Sequence, residues 1–164
     1  MSLLLVRIDD RLIHGQVTQG WGSVLTPDRF VVVNNAAAAD AWERELYEGS
    51  APDGMAISVV SLEEARARIE AWLEAGENLV LLLESPADAL RLFEAGLTFT
   101  ELNLGGLHQQ GDRRRVLPYI CLGQEDIIAL ESLCERGVSV ECADVPGCER
   151  KDLFTCLGNA DSGS

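Results

Sequence analysis

Apolar positions along the chain alternate between short unbroken runs and longer stretches with helical spacing. Val31-Val-Val33 and Leu79-Val-Leu-Leu-Leu83 carry no polar alternation, the pattern of strands covered on both faces in a parallel sheet. Seven candidate strands follow: Leu3–Ile8, Phe30–Asn34, Ala56–Val60, Leu79–Glu84, Glu101–Leu104, Tyr119–Leu122 and Val138–Cys142. A helix is expected over His14–Leu25, weakened by Gly15, Gly20 and Gly22, and another begins near Ala36 with Trp42 and Leu46 four apart. Trp21 and Trp42 read as core or helix-packing residues. Ser61-Leu-Glu-Glu64 has capping-box spacing and opens a helix through Ala65, Ile69 and Leu73 that stops near Gly76. Ser85-Pro86 opens the next, with proline at the first helical position, and Gly96 ends it. Gln124–Arg136 stops at Gly137, Arg150–Leu157 reads as one more short helix, and Asn159–Ser164 as a frayed polar tail.

Strands regularly separated by helices imply right-handed crossovers. The expectation is therefore a single α/β domain over residues 1–158, with a doubly wound, mainly parallel sheet flanked by helices on both faces, and a disordered tail at 159–164. Ligands of such folds sit beyond the carboxyl ends of the strands. That places Asp9–His14, Asn34-Asn35, the Ser61 turn, the Ser85-Pro86 turn and Gly105-Gly106 at one end of the sheet as a candidate site.

The first of these loops carries the chemistry. Arg7-Ile-Asp-Asp-Arg-Leu-Ile-His-Gly-Gln-Val17 delivers acids, arginines and one of only two histidines directly after an apolar strand. A neutral imidazole nitrogen is a nucleophile near pH 7, and a guanidinium matches the fork geometry of phosphoryl oxygens. His14 is thus the candidate for a covalent phosphate relay, with Arg11 supplying positive charge. Gly15 leaves room beside the ring, and helix amides starting after His14 add to the pull on an anion. A capping or half-buried histidine is the plainer alternative. Asp9 either orients the imidazole or pairs with Arg7 or Arg11, and the same two roles are open to Asp10. Asn103-Leu-Gly-Gly106 suggests a tight turn with exposed amides. His108 reads as a flexible loop side chain or a second catalytic histidine, and Arg113-Arg114-Arg115 as a solvated basic loop or an attractor of phosphate or an acidic surface.

Composition narrows the partners. A net charge of −14 disfavours nucleic acid and anionic membrane surfaces, so an anion must be drawn by a local cationic pocket at Arg7/Arg11 or Arg113–Arg115. The five cysteines lack a Cys-x-x-Cys pair, which points to buried free thiols in a reducing cytoplasm and to no metal site. The N-terminal apolar run is far shorter than a signal peptide or a spanning helix, which points to a soluble chain. A receiver domain would need a phospho-accepting aspartate after the third strand, where Val59-Val-Ser61 offers none. A dinucleotide-binding domain would need a glycine fingerprint where this chain has charge.

Val6–Trp21 resembles the active-site signature of the IIB subunits of the mannose/fructose/sorbose class of the bacterial phosphoenolpyruvate-dependent sugar phosphotransferase system. Phe30–Asn34, Ala51-Pro52 with Ile57–Ser61, Leu102–Gly106, Gly123–Asp126 and Gly137–Glu141 with Val145-Pro146 extend the resemblance along most of the chain. The resemblance implies that His14 receives phosphate from a phosphohistidine on a IIA domain. The phosphate then passes to the sixth-carbon hydroxyl of a sugar brought by IIC/IID membrane proteins, with no metal or organic cofactor. It implies a cytoplasmic location at the inner face of the membrane, held there through the permease. It places Arg11 as the phosphate-stabilising arginine, with Asp10, Leu12, Ile13, Gly15 and Gln16 as phosphate-binding or supporting positions. The acidic Glu45–Gly49 segment, the cysteines and the aspartate-rich surface depart from the family pattern and bear on the partner surface and the sugar. A regulatory phosphocarrier, or an interaction module, without a dedicated permease is the alternative reading.

Overall fold

The computed structural model describes residues 2–154 and 157–158. Its frame is a sheet built from β1 (Leu3–Asp9), β2 (Arg29–Val33), β3 (Ala56–Val60), β4 (Leu79–Leu83), β5 (Glu101–Gly106), β8 (Ser139–Cys142) and β9 (Lys151–Asp152). Strands β6 (Arg114–Leu117) and β7 (Ile120–Leu122) form a separate antiparallel pair. The order across the main sheet is β3-β2-β4-β1-β5-β8-β9, parallel throughout except at β9, which runs antiparallel to β8.

Alternation along the strands divides the apolar side chains between two faces. Phe30, Val32, Val80 and Leu82 join Leu12, Val17, Ala37 and Ala38 in one core. Val31, Val33, Leu79, Leu81 and Leu83 join Ala65, Ile69, Ala89, Leu92, Leu130 and Leu133 in the other. The first face is covered by the segment after β1 and by α2 (Asn35–Ala39) and α3 (Ala41–Gly49); the second by α4 (Leu62–Glu74), α5 (Pro86–Glu94) and α6 (Gln124–Glu135). All five residues of β4 are buried, and each fully buried leucine or valine contributes roughly 1.5–3 kcal/mol relative to exposure. The doubly wound α/β sheet expected from the sequence is present.

Local signals act as their chemistry demands. Ser61 Oγ accepts from the Glu64 amide at 3.3 Å, and Glu64 Oε1 accepts from the Ser61 amide at 3.1 Å, completing the capping box. Ser85 caps α5 through the Asp88 amide at 3.2 Å, with Pro86 at its start. Gly76 and Gly96 stop α4 and α5 at φ 91° and 108°, a conformation that penalises other residues.

Several expectations are corrected. The helix expected over His14–Leu25 is a π-helical turn, Gln16–Trp21, continuing into α1 (Gly22–Leu25). Gly22 serves close packing, since a Cβ there would lie 3.1 Å from Phe30, whereas one on Gly20 would make an ordinary 3.6 Å contact with Pro146. The helix expected near Ala36 is divided at Asp40, whose carboxylate accepts from the Trp42 and Glu43 amides and starts a new helix. Trp42 and Leu46 are then turned outward, 74% and 58% exposed, whereas Trp21 is in the core as expected. Tyr119–Leu122 is not part of the main sheet, because the Pro118-Tyr119 turn is too short for a parallel crossover and closes a hairpin instead. Arg150–Leu157 opens with the edge strand β9, and its described residues 153–154 and 157 have helical backbone. Gly105-Gly106 is strand, not turn. Cys121 and Cys142 are buried, and Cys134 and Cys148 are half-buried. Cys156 and the tail at 159–164 lie outside the described residues, and among those described no helix is long and apolar enough to cross a membrane.

Candidate functional site

The chain leaves β1 toward one face of the sheet and leaves β5 toward the other, opening a crevice at their carboxyl ends. A carboxylate fills the floor of this crevice. Asp9, the last residue of β1, is fully buried and accepts five hydrogen bonds. Its Oδ1 takes the Arg11 amide at 3.1 Å and Arg11 Nε at 3.0 Å. Its Oδ2 takes Arg11 Nη2 at 3.0 Å, Arg7 Nη2 at 3.2 Å and His14 Nε2 at 3.1 Å. A turn closed by the Leu12 amide on the Asp9 carbonyl, with Leu12 at φ 58°, brings Arg11 and His14 back over the carboxylate. The buried Leu12 side chain anchors that left-handed residue in the core beneath.

Electrostatics fix the protonation states. Burial alone would raise the Asp9 pKa, but hydrogen bonds from Arg11, the Arg7 charge and His14 outweigh it and hold the carboxyl below its usual range. An ionised Asp9 can only accept, so His14 donates from Nε2, and Nδ1 carries the lone pair. Burial holds the His14 pKa below its ordinary value; Asp9 pulls the other way, and the Arg11 and Arg7 charges add to the lowering. The ring is therefore neutral at pH 7, with its side chain 18% exposed. Arg11 is held further toward its charged form by its hydrogen bonds to Asp9.

Arg7 does not form the surface cationic pocket expected of it beside Arg11. It is fully buried, donating to Asn103 Oδ1 at 2.6 Å, the Ala143 carbonyl at 2.9 Å and the Asp144 carbonyl at 2.8 Å, with Trp21 stacked 5.2 Å away. Burial lowers its pKa, and Asp9 opposes that. Gly105 makes the arrangement possible: a Cβ there would lie 1.8 Å from the Arg7 guanidinium carbon. A Cβ on Gly106 would press against Asp9 Oδ1 at 3.0 Å and Arg11 Nη2 at 3.1 Å. The glycine pair thus clears space for the charge cluster; it does not expose amides at a turn.

The remaining expected positions separate cleanly. The Asp10 carboxylate turns away from the imidazole and accepts the His108 amide at 2.8 Å and pairs with His108 Nδ1 at 2.7 Å. His108 is thereby held to the acceptor loop, 68% exposed. The Leu12 amide is occupied within the turn, so it is not free for an anion, and Ile13 packs against the core. Gly15 and Gln16 are exposed, and a Cβ on Gly15 would meet nothing within 4 Å. Asn34, Ser61 and Ser85 act as helix caps rather than joining His14. Sequence reading missed the structural roles of Arg7, Gly105, Gly106 and Asn103. An arginine inside an apolar strand and a glycine pair at the end of another were the available signals. Among the described residues, no group of three or more His, Cys, Asp or Glu is placed to hold a metal ion.

A doubly wound α/β domain presenting a neutral, carboxylate-anchored imidazole beside a guanidinium defines a group-transfer protein handling anions. Residues 3–163 match the family described as PTS system sorbose subfamily IIB component. The fructose-specific EIIB component of Bacillus subtilis (strain 168) is 33% identical over 159 residues, covering 97% of this chain and 98% of the relative. The mannose-specific EIIAB component of Escherichia coli (strain K12) is 34% identical over 158 residues, covering 94% of this chain and 49% of the relative. The solved IIB domain of the sorbose permease from Klebsiella pneumoniae superimposes with a TM-score of 0.90 at 31% identity, covering 97% of this chain and 98% of that one. The chain belongs to the sorbose/mannose family of PTS IIB components and is a phosphotransferase.

Proposed function

We propose that His14 accepts a phosphoryl group on Nδ1 from a phosphohistidine of a IIA domain and passes it to a sugar carried by a IIC/IID permease. The observation that carries this reading is the anchoring of Nε2 on Asp9, which leaves the opposite nitrogen of a neutral ring as the nucleophile. In the first transfer the Nδ1 lone pair forms a P–N bond while the donor's P–N bond breaks, its electron pair returning to the donor imidazole. In the second, a sugar hydroxyl oxygen forms a P–O bond, the His14 P–N bond breaks, and the hydroxyl proton departs to solvent or a neighbouring base. Both steps are in-line displacements in which positioning and charge stabilisation dominate.

Arg11 is the residue placed to supply that charge. Its Nε and Nη2 are engaged by Asp9, which fixes the plane of the guanidinium and leaves Nη1 for phosphoryl oxygens. Asp9 is a positioning residue that sets the tautomer and orientation of His14, and it stabilises the positive charge the ring carries while Nδ1 is bonded to phosphorus and Nε2 is still protonated. Asp10 supports the site through the His108 loop, Leu12 and Ile13 support it from the core, and Gly15 and Gln16 form its rim. The mannose-specific relative, whose name joins the A and B components, supports a IIA domain as donor. Association with the membrane follows from the permease partner rather than from a spanning helix.

The test is incubation of the protein with a phosphorylated IIA domain. Wild type is expected to take up an acid-labile phosphoryl group, and His14→Ala to take up none while keeping its fold. Labelling retained in His14→Ala removes the assignment.

A further inference from the structure

A cavity of about 360 Å³ opens beside the acceptor loop. Arg11, Gln16, Gly106, His108, Arg115 and Asp144 are among its lining residues. The His108 loop is held in place: Asp10 grips His108 through backbone and ring. Arg113 secures the same loop, donating to Asp126 at 3.0 Å and to the His108 carbonyl at 3.3 Å.

The three-arginine run therefore divides by function of position. Arg113 is tied into the structure, 13% exposed. Arg114 lines a different cavity, against α6, and does not reach the one beside Arg11, whereas Arg115 borders both. The Arg115 side chain makes no ion pair or hydrogen bond among the described residues. Arg29, Arg66, Arg91, Arg136 and Arg150, by contrast, each reach a carboxylate. An unpaired guanidinium sharing a small cavity with Arg11 at the acceptor loop is complementary to a dianion. The Asp144 carboxylate on this rim is offset by its attraction to Arg7 and Arg11.

We propose that Arg115 is a second phosphate-binding residue of the transfer site, closing together with Arg11 around the phosphoryl group on His14. The inference rests on His14 as acceptor and adds a ligand from the β6–β7 hairpin. Arg11 approaches from the loop after β1, so the two guanidinium groups reach different equatorial oxygens.

The experiment compares Arg115→Gln with Arg114→Gln in single-turnover transfer from a phosphorylated IIA domain, over a range of donor concentrations. Both variants remove the same charge from neighbouring exposed positions, so a general field effect moves them equally. Arg115→Gln is expected to lower the limiting rate by roughly ten- to a hundred-fold, the worth of a charge-assisted hydrogen bond, with Arg114→Gln within about twofold of wild type. Arg115→Lys, which keeps the charge without the fork, should fall between. An unchanged limiting rate in Arg115→Gln, equal losses in both glutamine variants, or a change confined to the half-saturating donor concentration overturns the proposal. Such results leave the acceptor role of His14 standing, because that role falls only if His14→Ala still takes up label.

Discussion

Replacing Asp9 with asparagine tests whether one buried carboxylate organises both stability and chemistry. The substitution keeps the shape but removes the charge that Arg7, Arg11 and His14 share. Breaking a buried ion pair by deleting one partner costs about 3–5 kcal/mol. Arg7 keeps the Asn103 side chain and two backbone carbonyls, so Asp9→Asn belongs at the lower end, about 3 kcal/mol. For a chain of this size that corresponds to a fall of about 6–12 °C in Tm. The pH dependence adds a sign. Because the folded-state pKa of Asp9 is depressed, its stabilisation is fully present above the ordinary carboxylate range and is lost as pH falls through the lower folded value. Urea denaturation should show the full difference at pH 7 and a narrowing one as pH drops towards about 3. A difference below about 1 kcal/mol at pH 7, or one that does not change with acid, would refute the reasoning.

Gly105→Ala should displace the Arg7 guanidinium, since the new Cβ would sit 1.8 Å from its central carbon; a loss of about 3 kcal/mol or more in denaturant melts is expected. An unaltered melting curve would show that Arg7 does not lie under β5. Arg11→Ala should lose about 2–4 kcal/mol of transition-state stabilisation in stopped-flow phosphoryl transfer, with an unchanged rate removing Arg11 from the mechanism. Phosphoryl uptake by His14 requires the neutral ring, whose pKa is held below the ordinary 6.5. Its rate at saturating donor should therefore decline in acid with a midpoint below pH 6.5, whereas a midpoint above 6.5 would contradict the lowered pKa.

Much of the fold is written in periodicity. Continuous apolar runs mark the central strands because both faces of the sheet are covered, and Ser61, Ser85, Pro86, Gly76 and Gly96 punctuate the helices through local chemistry that tertiary contacts do not override. Where the sequence reading departs from the structure, a nonlocal or competing contact decides. Gly22, one of the glycines that weaken a helix after His14, lets that segment lie close against Phe30. Asp40 caps a second helix, which turns Trp42 outward despite its helical spacing with Leu46. At the site, the Asp-Asp-Arg-x-x-His-Gly cluster is legible because charge rarely follows an apolar strand without purpose. The division of labour within it is not. Asp9 and Asp10 are adjacent and chemically identical, and only their opposite orientations assign one to the imidazole and the other to the His108 loop. Likewise, Gly105 is read as a turn former until the register of β1 and β5 puts the Arg7 side chain against it.

The central claim is that a phosphoryl group resides on the nitrogen of His14 that Asp9 leaves free. Long-range ¹H–¹⁵N and ³¹P correlation spectra of the phosphorylated protein identify the modified nitrogen directly. A bond to Nδ1 of His14, with Nε2 still protonated towards Asp9, is the predicted result; phosphorus on Nε2, or on any other residue, would contradict it.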